Sequence, residues 1–201
     1  GTIEDEIVEC LTRIQSHVSG VELNISSPNT LGLKVFHEPA RLRGLIDDMT
    51  AIKQVPLFVK LPPWSRNDEN KREILKLAAT AVDAGVNGLV VANTHPIENS
   101  KLKVRRGGLS GAPLFEHTEL MIADIQAQVQ DNVSIIACGG VSSAEHVWKL
   151  LAIGASAVQL YTSFIYEGPG LPARINKRLI RLMKTAGIST LDAITGEPPR
   201  I

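Results

Sequence analysis

Short apolar runs alternate with longer amphipathic stretches along this chain. Residues 21–25 (Val-Glu-Leu-Asn-Ile), 57–61 (Leu-Phe-Val-Lys-Leu), 88–92 (Gly-Leu-Val-Val-Ala), 134–138 (Ser-Ile-Ile-Ala-Cys) and 157–161 (Ala-Val-Gln-Leu-Tyr) read as five strands. Several are near-continuously apolar, the pattern of parallel strands covered on both faces. Between them the spacing predicts helices over 38–52, 68–84, 116–130, 143–154 and 172–186, and one more over 4–17 opens the chain. Ser143 is a suitable N-cap, and Gly85 and Gly187 are suitable C-terminal stops. One helix followed by five βα units implies a parallel sheet, either open and doubly wound or closed into a barrel. No Gly/Ser linker, charge block or low-complexity tract divides the 201 residues, so a single domain is expected. The one long irregular stretch, 95–113, has the length of an active-site loop.

Composition narrows the function classes. Lys and Arg total 21 and Asp and Glu total 21, which removes the electrostatic reason to expect nucleic-acid or anionic-membrane binding. No apolar run approaches the length of a spanning helix, and residues 2–10 lack the basic-then-apolar order of a signal peptide. Two cysteines, Cys10 and Cys138, are too few for a disulfide framework and fit a reducing setting.

Parallel architectures gather ligands at the carboxyl ends of their strands. At those ends stand Asn24, Ser26, Ser27, Asn29 and Thr30, then Lys60, then Asn93 and Thr94, then Gly139 and Gly140, then Tyr161 and Thr162. Each has a plain structural reading beside a functional one. Residues 26–30 can be a capped turn, Asn93-Thr94 a turn, and Gly139-Gly140 a tight strand-to-helix connection. That Gly pair, followed by Ser142 and Ser143, also suits a phosphate held on backbone N–H groups at a helix start. Lys60 lies in an otherwise apolar strand, so it calls for a ligand or an acidic partner. His17, His37, His95, His117 and His146 show no metal-ligand spacing and read as surface or capping residues, and Cys138 reads as a small core hydrophobe. Lys101, Lys103, Arg105 and Arg106 read as a solvated basic loop or an entrance charge for an anion. No Ser-His-Asp order, Walker loop or carboxylate pair stands out.

Six ordered segments together resemble the dihydroorotate dehydrogenase family. They are residues 24–33 (Asn-Ile-Ser-Ser-Pro-Asn-Thr-Leu-Gly-Leu), 58–60 (Phe-Val-Lys), 91–94 (Val-Ala-Asn-Thr), 107–114 (Gly-Gly-Leu-Ser-Gly-Ala-Pro-Leu), 139–143 (Gly-Gly-Val-Ser-Ser) and 159–162 (Gln-Leu-Tyr-Thr). The likeness runs from Val21 to about Gly196. Serine rather than cysteine at position 27, and the ending over 160–169, are similar to the class 2, quinone-linked branch.

The resemblance implies a (β/α)8 TIM barrel, with residues 1–201 as the C-terminal part of a single FMN-binding domain carrying about strands four to eight. A whole barrel needs roughly 250 residues. It also implies FMN-dependent oxidation of dihydroorotate to orotate in de novo pyrimidine (UMP) biosynthesis, with quinone as electron acceptor. The parent protein would be peripheral to a bacterial cytoplasmic or mitochondrial inner membrane through a part N-terminal to this segment, the segment itself being soluble. Residue by residue, Ser27 matches the base that removes the C5 proton while hydride leaves C6. A serine needs a water or hydroxyl relay for that work. Asn24, Asn29, Asn93 and Thr94 match substrate ligands. Asn24, Lys60, Ser110, Gly111, Gly139, Gly140, Tyr161 and Thr162 match FMN contacts, Lys60 beside the N1/O2 side of the ring and the last four mainly around the phosphate. No metal is implied. The chain departs from the family at Ala92, where threonine is common, across 97–106, and at Cys138. Two alternatives stand beside this reading: an FMN barrel acting on a related pyrimidine, and a non-catalytic fragment or paralogue that binds flavin weakly or needs a partner chain.

Overall fold

The computed structural model describes residues 1–27, 32–64, 68–130 and 133–196. It divides into two compact units, one formed by Gly1–Asn93 with Ala127–Ser134 and the other by Thr94–Gln126 with Ile135–Ile201.

The first unit opens with α1 (Ile3–Ile14), whose start is fixed by a capping box. The Thr2 hydroxyl accepts from the Asp5 N–H, and the Asp5 carboxylate accepts from the Thr2 N–H, so two otherwise orphaned donors are satisfied reciprocally. A 3₁₀ turn, Gln15–His17, completes the helix expected over 4–17. Three strands follow: β1 (Val21–Asn24), β2 (Leu57–Lys60) and β3 (Gly88–Val91). They pair in parallel, Asn24 opposite Lys60 and Lys60 opposite Val90. The crossovers are α2 (Pro39–Ile52) and α3 (Asp68–Asp83), which pack on one another. Leu42, Leu45, Ile46 and Met49 of α2 and Ile74, Leu77, Ala78 and Ala81 of α3 are buried, together with Leu57, Val59, Leu89 and Val90 from the strands. All four residues of β3 are buried, the behaviour expected of a strand covered on both faces.

The second unit begins with an antiparallel hairpin, β4 (His95–Glu98) and β5 (Arg106–Leu109), in the stretch that reads as irregular from sequence. Its strands carry Pro96, Gly107 and Gly108, residues that carry little strand propensity of their own. Next come α4 (Phe115–Val129), β6 (Ser134–Cys138), α5 (Ala144–Ala152) and β7 (Ala157–Gln159). Strands β6 and β7 are parallel, Cys138 opposite Gln159. A six-residue helix, α6 (Thr162–Glu167), precedes α7 (Leu171–Ala186), which Gly187 stops in the left-handed conformation at φ 72°. Helix α7 packs on α5, and its Ile175, Leu179 and Met183 are buried.

The alternation of strand and helix is as the pattern predicts; β6 spans the whole predicted run, and the other four strands stop one or two residues early. Both cysteines are free thiols. Among the described residues no helix is long and apolar enough to cross a membrane.

Gly88 shows how tightly β3 is seated. A Cβ there would lie 2.6 Å from the Ser134 carbonyl oxygen and 2.7 Å from the Phe58 ring. Gly88→Ala is expected to destabilise the protein by about 1–3 kcal/mol in urea unfolding, the range for overpacking a buried site.

Candidate active site

In the first unit, parallel pairing puts Asn24, Lys60 and Asn93 at the carboxyl ends of successive strands, Asn24 and Lys60 as the last residues of β1 and β2 and Asn93 two positions past β3. Ser26 joins two of them. Its hydroxyl donates to Asn24 Oδ1 at 2.6 Å and accepts from Asn93 Nδ2 at 2.9 Å. The Ser26 N–H also bonds Asn24 Oδ1 at 3.0 Å, and Asn93 Nδ2 donates a second time to the Ser26 carbonyl at 3.2 Å. Two amide side chains, one from two residues before it and one from 67 residues beyond it, are thereby held on one buried serine. Asn24 is exposed, and Ser27 and Asn93 are half-buried. Asn29 lies outside the described residues.

Lys60 answers the question its sequence position raises. Its Nζ lies 3.6 Å from Glu22 Oε1, with side-chain exposures of 14% and 29%. The acidic partner comes from the neighbouring strand, where Glu22 is diagonal to Lys60 in the parallel register. The half-buried cation is thus compensated within the protein, and its position alone requires no ligand.

In the second unit, the Thr94 side chain packs against the hairpin: a Cβ on Gly108 would fall 2.3 Å from Thr94 Oγ1. Gly111, at φ 80°, faces Thr162, whose Cγ2 would be 3.0 Å from an added Cβ. Gly139 and Gly140 follow β6 at φ 136° and 72°, conformations that suit glycine. A Cβ on Gly139 would meet Thr118 Oγ1 at 2.6 Å, and one on Gly140 would meet the Phe115 backbone nitrogen at 2.4 Å. The loop past Gly140 is bonded to the one past β7, since Ser163 Oγ donates to the Val141 carbonyl at 2.6 Å. The segments after β6 and β7, the pair of loops expected around a phosphate, are thus joined by a hydrogen bond. Ser110 and Tyr161 are exposed, Tyr161 at 77%.

Helix α5 starts where predicted, with Ser143 Oγ accepting from the His146 N–H at 3.1 Å. The His146 ring stacks on Phe115, centroids 3.8 Å apart and planes at 17°. Burial holds its pKa below the ordinary histidine value; the Gly140 carbonyl, Glu145 and Glu119 oppose that shift and Lys149 adds to it. Glu145 is held below the usual carboxylate range by the backbone at the helix start and by Arg178, whose Nε donates to it at 3.0 Å.

Sequence reasoning does not identify Ser26 as the bridge, Glu22 as the partner of Lys60, or Ser163 as the tie between loops. For Ser26 the signal is present, since it lies inside the polar run after β1. His37 bonds the Ile25 carbonyl through Nε2 at 3.0 Å, and His95 bonds His117, so neither is a plain surface residue.

A family model described as dihydroorotate dehydrogenase matches residues 1–183. A dihydroorotate dehydrogenase (quinone) from Nautilia profundicola is 36% identical over 182 residues, covering 89% of this chain and 49% of that protein. A mitochondrial dihydroorotate dehydrogenase (quinone) from Arabidopsis thaliana is 30% identical, covering 97% of this chain and 45% of that one. The crystal structure of Eimeria tenella DHODH in complex with ferulenol matches with a TM-score of 0.85 and 30% identity, over 100% of this chain and 59% of that chain. The chain spans about half the length of the curated relatives it matches. The fold is α/β, of the TIM-barrel family to which these neighbours belong.

Two predictions follow from the geometry. Ser26→Ala removes the hydroxyl bonds to Asn24 Oδ1 and Asn93 Nδ2, which keep their bonds to the Ser26 backbone, and should cost about 0.5–1.5 kcal/mol in chemical unfolding. For His146 the folded pKa is lowered, so the unfolded chain binds the extra proton first and stability falls as pH drops from 6.5 through the folded value. Melting temperatures between pH 7.5 and 5.5 should decline less in His146→Phe, which keeps the ring on Phe115, than in the unaltered chain.

Proposed function

The chain belongs to the dihydroorotate dehydrogenase family, and we propose that it supplies the C-terminal part, about strands four to eight, of a single FMN-binding barrel domain that oxidises dihydroorotate to orotate in pyrimidine synthesis. The observation that carries this reading is the bonded Asn24–Ser26–Asn93 group with Lys60 at the carboxyl ends of three parallel strands. Amide donors and acceptors fixed in one place, beside a cation, suit a planar substrate with ring carbonyls and a carboxylate.

The donor set also fits FMN. The linked loops after β6 and β7 and the start of α5 offer backbone N–H groups and hydroxyls suited to a phosphate, and Lys60 offers a positive charge suited to the ring. Ser110, Gly111, Gly139, Gly140, Tyr161 and Thr162 would hold the cofactor, with Asn24 and Lys60 beside its ring. When bound, FMN supplies a hydride acceptor for the substrate C6.

The remaining work falls to side chains of this chain. Ser27, next to the bonded serine but not itself the bridge, would take the C5 proton and pass it through a water or hydroxyl relay. Asn24, Asn29, Asn93 and Thr94 would orient the substrate so that the C5 proton meets Ser27. Lys60, paired with Glu22, would stand beside the flavin ring. The relatives named for quinone support quinone as the acceptor of the parent protein, and membrane association of that parent belongs to the same proposal.

The test is spectroscopic. Mixed with FMN and then freed of unbound flavin by gel filtration, the protein should stay yellow, and dihydroorotate added without oxygen should bleach the colour. Ser27→Ala should keep the yellow complex and slow bleaching by about 10²–10⁴-fold, the span of general-base contributions. An unchanged rate removes Ser27 from the role, and a chain that never takes up FMN overturns the reading for this segment.

A further inference from the structure

His95 and His117 take no part in the chemistry above. One opens β4 and the other lies in the first turn of α4, 22 residues later, and both are half-buried. Their Nε2 atoms stand 2.8 Å apart, with ring centroids at 4.2 Å and planes at 72°. Only one hydrogen fits between two nitrogens at that distance. One ring therefore donates, and the other is neutral and presents its Nε2 lone pair.

Two imidazole nitrogens converging from separate elements are the donor set that borderline transition metals take. Metal–imidazole bonds run about 2.0–2.1 Å, so an ion reached equally by nitrogens 2.8 Å apart would see them at an angle of about 85–90°. That is the cis angle of square-planar or octahedral coordination, well short of the tetrahedral angle that zinc adopts in structural sites.

We propose that His95 and His117 form a two-histidine site for a divalent ion of square-planar or octahedral preference, Cu²⁺ or Ni²⁺ rather than Zn²⁺. On metal binding the donating ring gives up its Nε2 hydrogen to solvent and carries its hydrogen on Nδ1 instead, so both rings ligate as neutral Nδ1–H tautomers and no electron is transferred. Among the described residues no group of three or more His, Cys, Asp or Glu gathers as a metal site, so water fills the other positions. Occupancy would fasten the first residue of the hairpin to α4, immediately beyond Thr94. The site stands apart from the flavin reading and does not depend on it.

The experiment is titration of the tag-free chain with Cu²⁺, Ni²⁺ and Zn²⁺ by calorimetry, with electron paramagnetic resonance of the Cu²⁺ form. One Cu²⁺ per chain with two imidazole nitrogens is expected, and Ni²⁺ should bind at least as tightly as Zn²⁺. His95→Gln and His117→Gln, which keep a polar side chain of similar reach, should each weaken Cu²⁺ at least tenfold and leave one nitrogen in the spectrum. His17→Gln should change neither. A Cu²⁺ spectrum of the unaltered chain with one imidazole or none overturns the site without recourse to any variant. So does a Zn²⁺ affinity tenfold above that of Ni²⁺, or a single variant that binds like the unaltered chain.

Discussion

The in-register parallel pairing of β1, β2 and β3 governs what the first unit can do. Setting Asn24 opposite Lys60, and Lys60 opposite Val90, brings two polar side chains to one end of the strands, where Asn93 follows two positions past β3. A slip of one residue would exchange faces along a whole strand, burying Glu22 and Asn24 and exposing Leu23. The hydrophobic core therefore enforces the register, and the register delivers the chemistry. Ser26 then converts proximity into fixed geometry, because its hydroxyl is at once donor to one asparagine and acceptor from another.

The second unit solves a similar problem with backbone conformation. Positive φ at Gly139 and Gly140 turns the chain sharply out of β6, and the Ser163 bond to Val141 ties that turn to the start of α6. His146 stacks on Phe115, the same residue whose backbone Gly140 approaches. Packing, capping and loop geometry there are one arrangement, and burial within it lowers the His146 pKa.

What the sequence discloses follows what is local. Apolar runs of four or five residues expose the strands, and Ser143 and Gly187 announce their helix ends, because each depends on near neighbours alone. The hairpin escapes because Arg106, Gly107, Gly108 and Leu109 lack the alternating β-branched pattern, and its pairing with residues 95–98 rests on backbone bonds rather than side-chain preference. Helix α6 escapes for the opposite reason: Thr162, Phe164, Ile165 and Tyr166 favour strands, and tertiary context overrides them. The His95–His117 pair and the Glu22–Lys60 pair join residues from different elements, so neither has a spacing to read. The asparagines and Ser27 stand out in the sequence as candidates through their motif, whereas the bridging by Ser26 is a fact of three dimensions.

The crowding of Gly139 and Gly140 bears on how this lineage can drift. Thr118 and the Phe115 backbone fill the space a side chain would need, so these two positions are held by folding before any ligand arrives. A descendant that bound no ligand at these loops would still be selected to keep both glycines, while Ser110 and Tyr161, both exposed, could wander. The erosion of a function would first be visible at such solvent-facing positions, and the most familiar part of the motif would be the last to record the loss.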